Sequence, residues 1–250
     1  MHVNGVTNMF TKIRNINWVY ITPASGIAGC LVIVFGLVAS ASHYTRAMPY
    51  SPKNHFISEL GLATASQYSF VFNICLGIGG LLLMLFTNGL GIYLRQVRLA
   101  WYASYIGMAA TLSFSAIGYY TADSWTAHRN AAMVFFSGVM VSIVLFSYCV
   151  WQNKSRSMHH FITVQGFLIA LIYVVVLAWP KDKLIQSVED PANFIRPELW
   201  GLTVLEWLYC GMIGSWILAV SVDMIYVIRK ANKAKGNSLA AASEPGQLNH

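Results

Sequence analysis

Charge is what this sequence has least of. Charged residues make up 10% of its 250 positions, and Asp and Glu together account for only nine of them. That is well below the quarter or so a soluble globular chain uses to face water. A water-soluble domain is therefore excluded for most of the length. Cysteine is scarce as well, and Cys30, Cys75, Cys149 and Cys210 all fall inside apolar runs, where they act as small apolar residues rather than as a disulfide framework. No internal repeat is visible, which removes the usual signature of an inverted-repeat transporter. Basic residues interleaved with aromatics in a nucleic-acid module are also missing, so no nucleic-acid partner is expected. The polar tail after Arg229 is rich in Ala, Ser, Gly, Asn and Gln and cannot bury a core.

What is present is hydrocarbon. Hydrophobic residues make up 56% of the chain and the mean hydropathy is +0.55. A helix needs roughly 20 mostly apolar residues to cross a bilayer, and runs of that kind cover 21–42, 67–94, 99–120, 131–151, 161–179 and 198–228. The fold class is thus all-α: a polytopic membrane protein, a bundle of six transmembrane helices. Residues 1–20 form a cytoplasmic lead, 21–228 the membrane domain and 229–250 a flexible cytoplasmic tail. Lys12 and Arg14 ahead of an apolar stretch ending in Ala39-Ser40-Ala41 have the form of a signal peptide, but the run is long enough to span, so an uncleaved first helix is expected.

Orientation follows from the basic residues at the helix ends. One side collects Lys12, Arg14, Arg95, Arg98, Lys154, Arg156, Arg229, Lys230, Lys233 and Lys235. The other has Arg46, Lys53, Arg129, Lys181, Lys183 and Arg196, diluted by Glu59, Asp123, Asp182, Glu189, Asp190 and Glu198. Both termini are therefore expected in the cytoplasm. The sequon Asn153-Lys154-Ser155 falls on that same side and carries little weight.

The polar residues that remain are concentrated on the opposite, outer side. In the loop after the first span, Ser51 before Pro52 and a closing Gly61 predict a short interfacial helix over 52–60. On such a helix His55, Ser58 and Glu59 would share one face. Phe56, Ile57 and Leu60 would take the other and rest on the bilayer. Glu206 lies in the last span, about 12 Å along it from Glu198, where an ionisable group is costly and a functional candidate by default. His128 opens the fourth span after Asp123 and Ser124, natural caps; a histidine in the first turns stays neutral and can serve as a general base. Asn73 in the second span, with Arg129 and Arg196 on the same side, completes the set as candidate lipid contacts.

An Ile57-Ser58-x-Leu60-Gly61 segment in the outer loop, His128 ahead of Ala131, Ala132 and Phe135-Phe136, and Glu206-Trp207 in the last span together resemble the FRAG/DRAM/SFK superfamily and its prokaryotic six-helix relatives of unknown function. The resemblance runs over all six spans. It implies a six-helix bundle that handles lipids, with Ser58, His128 and Glu206 at the matching motif positions and His55 and Glu59 fitting the prokaryotic form. Eukaryotic members include a Golgi protein of GPI-anchor remodelling, autophagy modulators and a regulator of phosphoinositides and lipid asymmetry. Nothing in this chain identifies a GPI substrate, so that activity is not carried over.

Two functions compete on these residues. The first is an acyl-transfer or hydrolysis enzyme acting on a membrane lipid, with Ser58 or a substrate hydroxyl activated by His128 or His55, and Glu206, Glu59 or Asp123 orienting the imidazole. The second is a non-catalytic lipid-binding or scaffold protein whose polar cluster holds the loop to the bundle. A zinc variant built on His43, His55 and His128 lacks an HxxxH or HExxH pair, and no cofactor is expected. Transport is least favoured, because only Gln165 and Asp223 carry polarity toward the other side.

Overall fold

The computed structural model describes residues 17–46, 48–153, 158–191 and 193–243, with side chains described through residue 234. Lys12, Arg14, Lys154 and Arg156, residues 154 and 155 of the sequon, and the Lys235 side chain lie outside the described residues. Among the described residues there are seven α-helices: α1 Trp18–Ser42, α2 Ser69–Tyr93, α3 Leu99–Tyr119, α4 Trp125–Gln152, α5 Phe161–Ala178, α6 Asp182–Glu189 and α7 Gly201–Ser243. A 3-10 helix covers Ile57–Gly61. Among the described residues there is no strand, only an isolated antiparallel bridge between Tyr44 and Ser66.

Five helices, α1, α2, α4, α5 and α7, are long and apolar enough to cross a membrane. Their outward faces carry Leu31, Phe35, Val164 and Leu171, each more than half exposed, so they are apolar on the outside as well as inside, as lipid-facing helices are. The sixth predicted span, α3, is not among the five. Tyr102, Ser104, Tyr105, Thr111, Ser113 and Ser115 interrupt its apolar run. It is nonetheless 21 residues long, about 31 Å at the α-helical rise.

The six long helices run up and down and close a ring. Each packs on the next in the chain, and α7 packs on both α5 and α1. The pairings fix the antiparallel sense. Gly36 of α1 abuts Cys75 of α2 while Gly26 abuts Phe86; Ser142 of α4 donates to the Ala103 carbonyl of α3 at 2.8 Å, and Ser113 of α3 to that of Ala131 at 2.9 Å. Trp216 Nε1 of α7 donates to the Ile162 carbonyl of α5 at 3.2 Å. Small residues set the approach. A Cβ on Gly36 would come within 2.5 Å of the Cys75 Cβ, closer than packed side chains allow, so α1 and α2 meet there backbone to side chain.

One end of the ring is capped by the α1–α2 loop, and here the structure departs from the sequence expectation. The predicted helix over 52–60 is replaced by a turn at 52–54 and the 3-10 helix from Ile57. The reason is where the carbonyls go. An α-helix would bond those of Lys53, Asn54, His55 and Phe56 to amides four residues on. Instead the Trp200 N–H takes Lys53 O at 2.8 Å, Arg196 takes Asn54 O at 2.5 Å and Trp207 Nε1 takes His55 O at 3.2 Å. Phe56 O receives the Tyr50 hydroxyl at 3.1 Å and the Glu59 N–H at 3.2 Å, a three-residue step. Tertiary bonds to the segment leading into α7 have displaced the local ladder. Ser51 still begins the turn: its carbonyl accepts from Asn54 and His55, and its Oγ from the Lys53 N–H. Among the described residues, the short amphipathic helix is α6, in the loop before α7, with Ile185 and Val188 exposed and no residue buried.

Candidate functional site

The α1–α2 loop is pinned over the ring by a network centred on Glu59. Arg196 grips the Glu59 carboxylate through two nitrogens, both at 2.9 Å, and its guanidinium lies 5.9 Å from the Trp200 ring. The Phe56 N–H donates to Glu59 Oε1 at 3.0 Å, the Tyr44 hydroxyl reaches Oε2 at 3.4 Å, and Arg46 stands 3.9 Å away. Burial first, and then the Glu59 charge, push the Tyr44 phenol up to about 12, so it stays protonated and can donate. Ser40 Oγ holds the Leu60 carbonyl at 2.7 Å, and Asn73 Nδ2 holds that of Gly61 at 3.0 Å.

His55 is walled in beside this network. It is 1% exposed, with the rings of Tyr44 and Tyr50 both 5.3 Å away. Its Nδ1 lies 3.3 Å from the Ser51 nitrogen and 2.7 Å from Asn54 Oδ1. Burial lowers its pKa below the usual histidine value, only partly offset by Glu59 and the Ser51 contact. The ring is therefore neutral in the folded loop.

Beneath the loop the ring encloses a cavity of about 430 Å³, within the size range of small-molecule sites. Its wall is almost wholly apolar, with Ile33, Leu37, Phe72, Leu76, Phe135 and Ile217 among the lining side chains. Ser58, His128 and Glu206 share that wall at the loop end. His128 is 6% exposed and its Nδ1 lies 2.8 Å from the Tyr120 carbonyl. A carbonyl only accepts, so Nδ1 carries the proton, and in the neutral ring Nε2 then holds a lone pair. Among the described residues Nε2 has no hydrogen-bond partner, and neither has the Ser58 hydroxyl. Glu206 accepts one bond, from the Ile57 N–H at 3.3 Å. Among the described residues, no Lys or Arg lines the cavity.

The other expected site residues sit elsewhere. Glu59 and Arg196 pair with each other in the loop network, and His55 is buried in the same loop; none of the three is on the cavity wall. Asp123 is exposed and accepts from Thr121 at 3.2 Å, Arg129 is exposed beside His128, and Asn73 is committed to Gly61. His43 is exposed too, bonded to Ala39 O and packed 4.1 Å from Tyr68. Among the described residues no three His, Cys, Asp or Glu gather as a metal site.

Several features had no sequence signal. Cys30 and Cys210 face the cavity, and Tyr44 and Tyr50 enclose His55. At the far end of the ring, Asp223 is buried and takes both the backbone N–H of His159, at 2.9 Å, and its ring Nδ1. Their pairing spans 64 positions of the chain, and the His159 side chain stays exposed while Asp223 is buried.

Compared with known proteins, residues 27–223 match the family described as "Protein of unknown function (DUF998)". No curated protein and no solved structure matches the chain.

Proposed function

The chain belongs to the DUF998 family, and from that premise we propose that it is a lipid-handling membrane protein that remodels an acyl chain held in the ring cavity. The observation that carries this is the company of Ser58, His128 and Glu206 on one otherwise apolar wall. These three also stand at the matching motif positions of the resemblance to the FRAG/DRAM/SFK group. In this reading α3 is a sixth span, since it lies antiparallel between α2 and α4 for its full length. The loop end faces outward and both termini are cytoplasmic, as the Lys and Arg distribution favours.

The chemistry is acyl transfer or hydrolysis. His128 Nε2 takes the proton from a hydroxyl, that of Ser58, of a second lipid or of water, as its oxygen attacks the ester carbonyl carbon. The ester C–O bond then breaks, and the same proton passes from His128 to the departing alkoxide. Tyr120 O holds the imidazole in the required tautomer, and Glu206 shares the cavity wall with it.

Purified protein reconstituted with labelled phospholipid tests this by mass spectrometry of the lipids. Wild type should alter acyl composition, and His128→Ala and Glu206→Gln should each lose that turnover while still inserting and folding. Unchanged lipid profiles in wild type and both variants would overturn the enzyme.

A second reading has its own observation. The Ile57 N–H bond makes Glu206 an anchor for the loop, as a non-catalytic lipid-binding protein would use it. In that case Glu206→Gln lowers thermal stability, and lipid copurifies unmodified with wild type and variant alike.

A further inference from the structure

We propose that the cavity takes a single-chain amphiphile with an uncharged, hydroxyl-bearing head group, of the fatty-alcohol or monoacylglycerol class, and that this ligand enters sideways from the bilayer between α1 and α7 at Gly211. The proposal rests on the reading that the cavity holds a lipid.

The shape comes first. The α7 side of the wall runs from Glu206 to Leu218, about 18 Å of helix, with its polar groups gathered at one end. Deeper polar atoms are already engaged: Ser215 Oγ donates to the Met212 carbonyl at 2.9 Å and accepts from Gln165 Nε2 at 2.7 Å. A long, apolar space of about 430 Å³ with one polar end fits one hydrocarbon chain and a small head.

The head-group chemistry follows from what the polar end offers. His128 is nine-tenths buried, and the Nε2 of its neutral ring accepts without donating. It asks for a donor. A phosphate or carboxylate head would be buried there with no Lys or Arg among the described residues of the wall to compensate it, and burying an unpaired charge is costly. A hydroxyl satisfies the site and adds no charge.

The entrance is read from the glycines. A Cβ on Gly26, Gly29 or Gly36 of α1 would come within 2.5–3.0 Å of a neighbouring side chain, so these glycines serve close packing. A Cβ on Gly211 or Gly214 of α7 would meet nothing within 4 Å, although both line the cavity. The α1–α7 seam is closed where Gly26 meets Ser221 and where Cys30 Sγ lies 3.9 Å from the Gly214 carbonyl. Carried one turn further, that antiparallel register brings Val34 level with Gly211. Val34 is 54% exposed and yet lines the cavity, and Gly211 is exposed there too. The wall is thus open to the side that would face lipid.

The test uses the full chain in phosphatidylcholine nanodiscs containing either 1-monoolein or oleoyl lysophosphatidic acid, read by native mass spectrometry. Wild type should carry one monoolein, with lysophosphatidic acid at least tenfold weaker. Gly211→Leu, whose Cβ meets nothing within 4 Å, should slow monoolein uptake at least tenfold with an unchanged melting temperature. Gly77→Leu, equally unobstructed but off the cavity wall, should behave as wild type. Wild-type uptake in Gly211→Leu would overturn the entrance, and equal binding of lysophosphatidic acid the head-group class. Failure to bind monoolein while another lipid binds would also overturn the class but leave the lipid reading standing; no bound lipid of any kind would end both.

Discussion

Removing the negative charge from Glu59 should loosen the cap of the ring. Its carboxylate and the Arg196 guanidinium meet through two contacts of 2.9 Å, and their side chains are only 10% and 20% exposed. Surface screening therefore applies weakly, and the pair lies nearer the buried case, where breaking one partner costs about 3–5 kcal/mol, than the exposed one, worth about 0–1 kcal/mol. Glu59→Gln keeps the shape and one acceptor oxygen but leaves Arg196 with the Asn54 carbonyl as its remaining strong partner. A loss of roughly 2–4 kcal/mol follows, between those limits. For a chain of this size each kcal/mol moves the melting temperature by about 2–4 °C, so the expected drop is about 5–15 °C. Size-exclusion chromatography of detergent-solubilised protein after graded heating measures it. Arg196→Met should fall by a similar amount, and the double variant by little more than either single one, because both remove the same interaction. A Glu59→Gln midpoint within about 1 °C of wild type, or a double variant equal to the sum of the two, would refute the reasoning.

The remaining predictions probe other parts of the molecule. Because burial lowers the His55 pKa, the unfolded chain binds a proton that the folded loop resists once pH falls below about 6.5. The stability His55 contributes is thus complete above that pH and lost progressively below it. His55→Phe should flatten the fall in melting temperature over that range, and an unchanged slope would count against the assignment. Gly80→Ala puts a methyl against Ser115 and 2.7 Å from the Thr111 carbonyl; it should destabilise by about 1–3 kcal/mol. Gly77→Ala, one turn away with nothing within 4 Å, should be neutral or slightly stabilising, and comparing the two melting temperatures checks the α2–α3 approach. Asp223→Asn weakens two bonds to His159 and should cost about 1–3 kcal/mol, read in the same heating assay.

The helices were legible in the sequence because a span is a local property: enough apolar residues in a row, with no charge to interrupt them. The run at 21–42 became α1 Trp18–Ser42, and that at 161–179 became α5 Phe161–Ala178. The apolar run of the fourth span starts at 131, but its helix begins at Trp125 after Ser124, one of the two caps expected ahead of His128, because the polar turns around Thr126 and Arg129 continue the same ladder into water. Among the site residues, Ser58, His128 and Glu206 were legible as polar groups on one side of an apolar chain. The α1–α2 loop was not. Ser51-Pro52 and Gly61 are good helix punctuation, but local signals cannot show that Arg196, Trp200 and Trp207, about 140 to 150 positions away, claim the carbonyls the helix would need. Sharing a helix face brought His55, Ser58 and Glu59 together on paper; in the fold Ser58 lines the cavity, while His55 and Glu59 lie in the loop network around Tyr44.

That separation bears on why the cavity residues are polar at all. Glu59 and Glu206 are carboxylates near the same end of the ring, but they are satisfied in unequal measure. Glu59 has a bidentate guanidinium, a backbone N–H and a phenol, the full complement a buried charge needs to hold a fold together. Glu206 has one long backbone bond, and beside it the His128 Nε2 and the Ser58 hydroxyl have none among the described residues. Leaving such groups unpaired in an apolar cavity costs stability, and apolar side chains of similar size would fill the same wall without that cost. A polar set kept only to secure the loop would look like the Glu59 network, closed on itself. The set at Ser58, His128 and Glu206 is open toward the cavity, and a bound molecule supplying the missing donor and acceptor would complete it.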